Sequence, residues 1–108
     1  FHGPIPVTRE LTAEEVAGDY ELETGRVIVE RFSGLDPLAV SAVLVRNHGP
    51  FAWGVSGPKA LETAQALEIV AHMAWQTLAL SPAAASLSHA LRDKHFFRKH
   101  GSTAYYGQ

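Results

Sequence analysis

Apolar and polar positions along this chain follow two periods. From Val40 to Val45 every residue but Ser41 is apolar and three are β-branched valines, which predicts a buried strand. Asn47-His48-Gly49-Pro50 then reads as a turn, and Phe51-Ala52-Trp53 as a second short strand. Helical patterns lie on both sides. Thr12-Ala13-Glu14-Glu15 matches a capping box, and Val16, Tyr20, Val27 and Phe32 recur at roughly helical spacing. This predicts one long helix from Thr12 to about Ser33-Gly34, with those four residues as its buried stripe. Gly18 and Gly25 weigh against it, and Val27-Ile28-Val29 reads alternatively as a strand. Ser56-Gly57-Pro58 opens a further helix, with Ser56 as cap, running to about Leu80 before Ser81-Pro82. Leu61, Ala64, Leu67, Ala71, Ala74 and Leu78 fall on one face of it. A last helix is predicted from about Ser86 to His100, with Gly101 in the terminating position. Residues 1–8 are extended, because Pro4 and Pro6 exclude a helix.

Three helices with two or three strands describe an α/β chain whose sheet is too small to stand alone. The chain has 108 residues, no initiator Met, and opens on what reads as the middle of a strand or loop. The expectation is a segment of a longer protein, with the missing strands upstream of Phe1. No internal repeat, low-complexity linker or second domain is legible.

Composition narrows the function classes. A net charge of −2 predicts no general affinity for nucleic acid or anionic membrane. With no cysteine, disulfides and thiolate metal sites are excluded, and the cytoplasm is the expected compartment. No apolar run reaches the about 20 residues needed to span a bilayer, and residues 1–6 lack the features of a signal peptide.

Candidate chemistry centres on His48. A strand end delivers its imidazole into a Gly/Pro turn, a setting that holds a ligand for zinc or a similar divalent metal while leaving one side open. A packed or hydrogen-bonded turn histidine is the alternative. The six histidines include no His-x-His or His-x-x-x-His pair, so the partner ligands of a three-ligand catalytic site are not local. The last helix carries Arg92, Lys94, His95, Arg98, Lys99 and His100, either as a solvated face suited to a helix C-terminus or as a substrate-facing, phosphate-binding surface. His95, between Lys94 and Phe96-Phe97, is expected to be partly buried. Tyr105 and Tyr106 in the tail suggest an aromatic anchor, with one hydroxyl free to act as a general acid.

Taken together, three stretches resemble a known family. They are Gly18-Asp19-Tyr20-Glu21-Leu22-Glu23-Thr24-Gly25, His48 through Gly54, and Lys94-His95-Phe96-Phe97-Arg98-Lys99-His100-Gly101 continuing through Ala104-Tyr105-Tyr106-Gly107-Gln108. The chain resembles the C-terminal half of the L-ribulose-5-phosphate 4-epimerases, within the class II aldolase/adducin superfamily. That resemblance implies an α/β/α sandwich around a largely antiparallel central sheet, with residues 1–108 forming the C-terminal part of a single domain. It implies a homotetramer with active sites between subunits and a divalent metal, usually Zn2+, held by three histidines. His48 corresponds to one ligand; the His-x-His that supplies the others belongs to the N-terminal half. The implied substrate is L-ribulose 5-phosphate, converted to D-xylulose 5-phosphate by retro-aldol cleavage and re-formation of the C3–C4 bond. Tyr106 matches the family's acid/base tyrosine, acting across the subunit interface. His95 matches a histidine near the active site, and Asp19 stands where the family often has Glu, so either a catalytic or a structural role is open to it. A sugar-phosphate aldolase and a non-catalytic, adducin-like interaction module are the competing readings. The isolated segment is expected to be inactive.

Overall fold

The computed structural model describes residues 1–106; Gly107 and Gln108, part of the matched tail, lie outside the described residues. Among them are α1 (Ala13–Ala17), α2 (Tyr20–Arg31), β1 (Ala42–Val45), β2 (Gly49–Ala52), α3 (Gly57–Leu80) and α4 (His89–Phe97). The arrangement is mixed α/β, with an antiparallel hairpin at its centre.

The hairpin pairs Ala42 with Ala52 and Val45 with Gly49. β2 thus starts at Gly49, ahead of the aromatic residues, and Trp53 N–H continues the ladder beyond its end to Ser41 O at 3.0 Å. The N-terminal segment adds to the other edge of β1 through a parallel bridge, Val7 to Leu44. Pro6 needs no donor there: its carbonyl accepts from Leu44 N–H at 2.9 Å, and Thr8 N–H donates to Leu44 O at 3.0 Å. Thr8 is buried, and its hydroxyl is satisfied twice, donating to Arg9 O and accepting from Arg46 N–H.

The capping box forms as expected. Glu15 N–H donates to Thr12 Oγ1 at 3.3 Å, and Thr12 N–H to a Glu15 carboxylate oxygen at 2.8 Å. The single long helix does not. It breaks at Gly18, and Asp19 caps a new helix by accepting from Leu22 N–H at 3.3 Å. Glycine gains little from helical backbone, and an aspartate beside it offers an alternative partner to the freed N–H groups. The break shifts the helical phase, so of the predicted stripe only Val27 is buried, at 1% exposure, together with Thr24. Val27-Ile28-Val29 is helical, and the chain leaves α2 through Gly34, whose φ is +82°.

α3 begins and ends where its signals place it, with Ser56 Oγ accepting from Lys59 N–H and Pro58 in the first turn. Gly54 is required at the approach to it: a Cβ there would stand 2.6 Å from Ala60 N. At 24 residues α3 extends about 36 Å. Only Leu67 of its predicted face is buried, while Leu61 and Leu78 remain 60% and 54% exposed. The pattern marks a face suited to burial, but no element among the described residues covers its far half. α4 is shorter than predicted. Ser88 rather than Ser86 caps it, and the chain tightens past Phe97 into a turn containing Gly101 at φ +96°.

The core is small: Val27, Val40, Ala42, Val43, Val45 and Leu67. The radius of gyration, 15.9 Å, exceeds the about 13 Å of a compact domain this long, because α3 projects from the hairpin.

Candidate metal-ligand site at the hairpin turn

The turn Val45–His48 closes with His48 N–H donating to Val45 O at 3.0 Å. Asn47, its third residue, has φ +62°, a left-handed conformation that asparagine tolerates better than most side chains. Its amide donates to Glu10 Oε1 at 2.8 Å, which ties the turn to the segment ahead of α1. The register explains this contact. Val7 pairs with Leu44, so three residues further along both chains Glu10 meets Asn47.

His48 is exposed and stands at the first position of β2's approach. Its ring stacks on Phe51 at 5.1 Å between centroids, with Tyr20 of α2 tilted at 6.3 Å. Two aromatic neighbours restrict the imidazole without using its nitrogens. A cleft of about 220 Å³ opens beside it, lined by Glu10, Val16, Tyr20, Arg46, Asn47 and His48 among others. Its outer wall is braced by Arg9, which reaches Glu15 at 2.8 Å and Glu30 at 3.1 Å. Hydrogen bonding to Arg9, then to Thr12 N–H, pulls the Glu15 carboxyl down to about 2, while the two carboxylates push the Arg9 guanidinium further up.

Asp19 lies beside Tyr20, and its carboxylate caps α2. His95 and Tyr106 sit elsewhere, on α4 and the tail. His95 is exposed, contrary to the expected partial burial: the flanking Phe96 and Phe97, not His95, make the ring contacts with His2. The tail folds back on α4: Tyr105 and Tyr106 N–H groups both donate to Arg98 O. The Arg98 guanidinium lies 4.7 Å from the Tyr106 ring centre, and Lys94 Nζ is 5.5 Å from that of Tyr105. Both rings therefore rest against cations, and both remain exposed. No ring contact, hydrogen bond or shared cleft among the described residues joins His48 to His95 or Tyr106.

At this turn the chain presents one exposed imidazole with both ring nitrogens free of described partners. Among the described residues no three His, Asp or Glu side chains converge on one point. Glu10 and Arg46 carried no expectation from the sequence, and Tyr20 was expected in a buried helical stripe rather than beside His48. Arg46 had a local signal, two positions before His48, whereas Glu10 and Tyr20 arrive only through tertiary pairing. No helix among the described residues is long and apolar enough to cross a membrane.

Comparison with known proteins adds an independent line. Residues 1–75 match the family described as the class II aldolase and adducin N-terminal domain. The whole chain is 48% identical over 108 residues to the L-ribulose-5-phosphate 4-epimerase UlaF of Salmonella paratyphi B, covering 47% of that protein. It is 48% identical to the protein of the same name in Salmonella paratyphi C and 47% to that of Salmonella typhi, with the same coverage. The chain thus spans about half the length of the curated relatives it matches.

Proposed function

Since the chain belongs to the class II aldolase and adducin family, we propose that it forms the C-terminal half of a divalent-metal enzyme converting L-ribulose 5-phosphate to D-xylulose 5-phosphate. The observation that carries this reading is identity of 48% across the entire chain to a protein named as an L-ribulose-5-phosphate 4-epimerase. In the complete protein the hairpin joins further strands in an α/β/α sandwich, and cytoplasmic homotetramers place active sites between subunits.

His48 suits a ligand's role: it is exposed, restrained by Phe51 and Tyr20, and held on a turn that Asn47 and Glu10 brace. The remaining ligands come from the half of the protein outside this chain. With His48 as one of its ligands, a divalent ion such as zinc would supply a Lewis acid for negative charge at the substrate oxygens. The C4 hydroxyl loses its proton, the C3–C4 electron pair passes to the enediolate, and an aldehyde is released. After the aldehyde rotates, the same bond re-forms on its other face and the new alkoxide is protonated. One proton-carrying group is needed on each face.

Tyr106 serves one face, from a neighbouring subunit, its ring held by Arg98 and its hydroxyl at the surface. His95, exposed on α4, is the second group of this chain assigned to proton transfer. Asp19 acts by starting α2 at Tyr20, which brings the Tyr20 ring to His48.

The test is metal analysis and product analysis on the full-length protein incubated with L-ribulose 5-phosphate. Bound metal with D-xylulose 5-phosphate supports the epimerase. Accumulation of dihydroxyacetone and glycolaldehyde phosphate identifies an aldolase instead. Absence of both metal and turnover leaves the interaction module.

A further inference from the structure

α4 is the least supported helix of the chain. No strand or other helix brings its backbone close to it among the described residues; Phe96 shares a cavity with Ala66 and Val70 of α3, and the hydrogen-bonded attachment runs through the N-terminal segment. His2 makes that attachment from two sides. Its backbone N–H donates to Ala39 O at 2.9 Å, just ahead of β1. Its Nε2–H donates to Asp93 Oδ1 on α4 at 2.8 Å. The imidazole lies nearly flat on Phe96, with centroids 4.4 Å apart, and meets Phe97 edge-on at 5.2 Å.

Asp93 is shared: Arg92 also donates to the same oxygen, and the two donors, His2 first, hold the Asp93 carboxyl below its ordinary range. Phe96 carries His100 on its other face at 4.5 Å. From Phe96 and Phe97 the chain passes directly to Arg98, whose carbonyl and guanidinium hold Tyr105 and Tyr106. A continuous path of contacts therefore runs from the hairpin through Ala39, His2 and α4 to the tail. His95 lies two residues after Asp93 on the same helix.

We propose that His2 is a positioning residue: it docks α4 on the hairpin body and thereby sets where His95 and Tyr106 stand. The catalytic part of this inference rests on the epimerase reading; the docking part does not. A small aromatic with an N–H donor suits the position because it must fill the space over Phe96 and reach Asp93 together. Neither the hairpin nor α4 alone contains both partners, which is why a residue remote from the reacting groups in sequence acts on them.

The test uses the full-length protein. In His2→Ala, amide exchange over residues 89–106 is expected to accelerate about tenfold or more, with β1 and β2 exchanging as in the wild type. The kcat for epimerisation is expected to fall about tenfold, with KM and metal content unchanged. His2→Gln, which keeps an N–H donor toward Asp93, recovers much of both losses. Asp93→Ala matches His2→Ala, and the double variant is no worse than either. Unchanged exchange over residues 89–106, or additive losses in the double variant, overturns the proposal. If His2→Ala also loosens β1 and β2, the comparison moves to His2→Gln, where recovery supports the proposal and equal damage overturns it. Exchange is read without substrate, so a wild-type protein lacking epimerase activity removes the proposed reaction and leaves docking to be decided on exchange alone.

Discussion

The Asn47 side-chain amide donates to Glu10 Oε1 at 2.8 Å, joining the turn that presents His48 to a residue 37 positions earlier. The turn's conformation and its tether thus reside in one side chain. Asn47→Gly keeps the φ of +62° accessible and loses only the tether, so stability should change by no more than about 1 kcal/mol. Asn47→Val loses both and places a β-branched residue at positive φ, at a cost of about 1–3 kcal/mol. Urea unfolding of the full-length variants gives the ordering, and the valine variant is expected to hold less metal.

His48→Ala should separate function from stability. The side chain is exposed and its nitrogens bond to no described residue, so unfolding free energy should move by about 1 kcal/mol or less. Metal content and turnover should fall by more than the about 10–100-fold typical of a residue that only supports a ligand. Retention of full metal content would remove His48 from the ligand set.

Tyr106→Phe keeps the ring under Arg98 and removes the hydroxyl. Tail docking, read by amide exchange at residues 98–106, should be unchanged, while kcat should fall about 10²–10⁴-fold. Normal turnover in this variant would reduce Tyr106 to an anchor.

Gly54→Ala tests the β2–α3 corner. The added Cβ would meet Ala60 N at 2.6 Å and the Lys59 carbonyl carbon at 2.7 Å, both backbone atoms with no rotamer to change. Destabilisation of at least about 2 kcal/mol is expected by denaturant unfolding, with little effect from Gly57→Ala, where a Cβ meets nothing within 4 Å.

The Arg9–Glu15 pair predicts an acid limb. Glu15 is held from its ordinary 4.5 down to about 2, so its contribution is fully present above pH 4.5 and is lost as pH falls toward 2. Glu15→Gln should flatten the stability profile across that window and leave it parallel to the wild type above it. Equal slopes in both proteins between pH 4.5 and 2 would show that the pair is not coupled to folding.

Local signals were legible where a few neighbouring residues decide the outcome. Thr12 and Glu15 gave their capping box, and Ser56, Pro58 and Ser81 bounded α3. The Gly18-Asp19 break was written in the sequence as a helix stop beside a helix cap, but the apolar spacing of Val16, Tyr20 and Val27 masked it. Burial was harder to read. The face from Leu61 to Leu78 is apolar, yet a pattern names the face and not its cover. The same limit applied to the site. His48 stood out at a strand end, whereas Glu10 and His2 owe their places to pairings 37 and 91 positions away, which no window of spacing contains.

The projection of α3 also gives the protein a spectroscopic readout. Trp53 sits at the hairpin end, half-buried, edge-on to Phe32 at 5.1 Å and with its indole N–H donating to Pro37 O. Trp75 stands on the far half of α3, 68% exposed beside His72. These are the chain's two tryptophans, so its intrinsic fluorescence has one emitter partly shielded by Phe32 and Pro37 and one largely in water. Acrylamide would quench the second first, and any surface that comes to cover the outer half of α3 would be seen as a blue shift from Trp75 alone, with Trp53 as the internal standard.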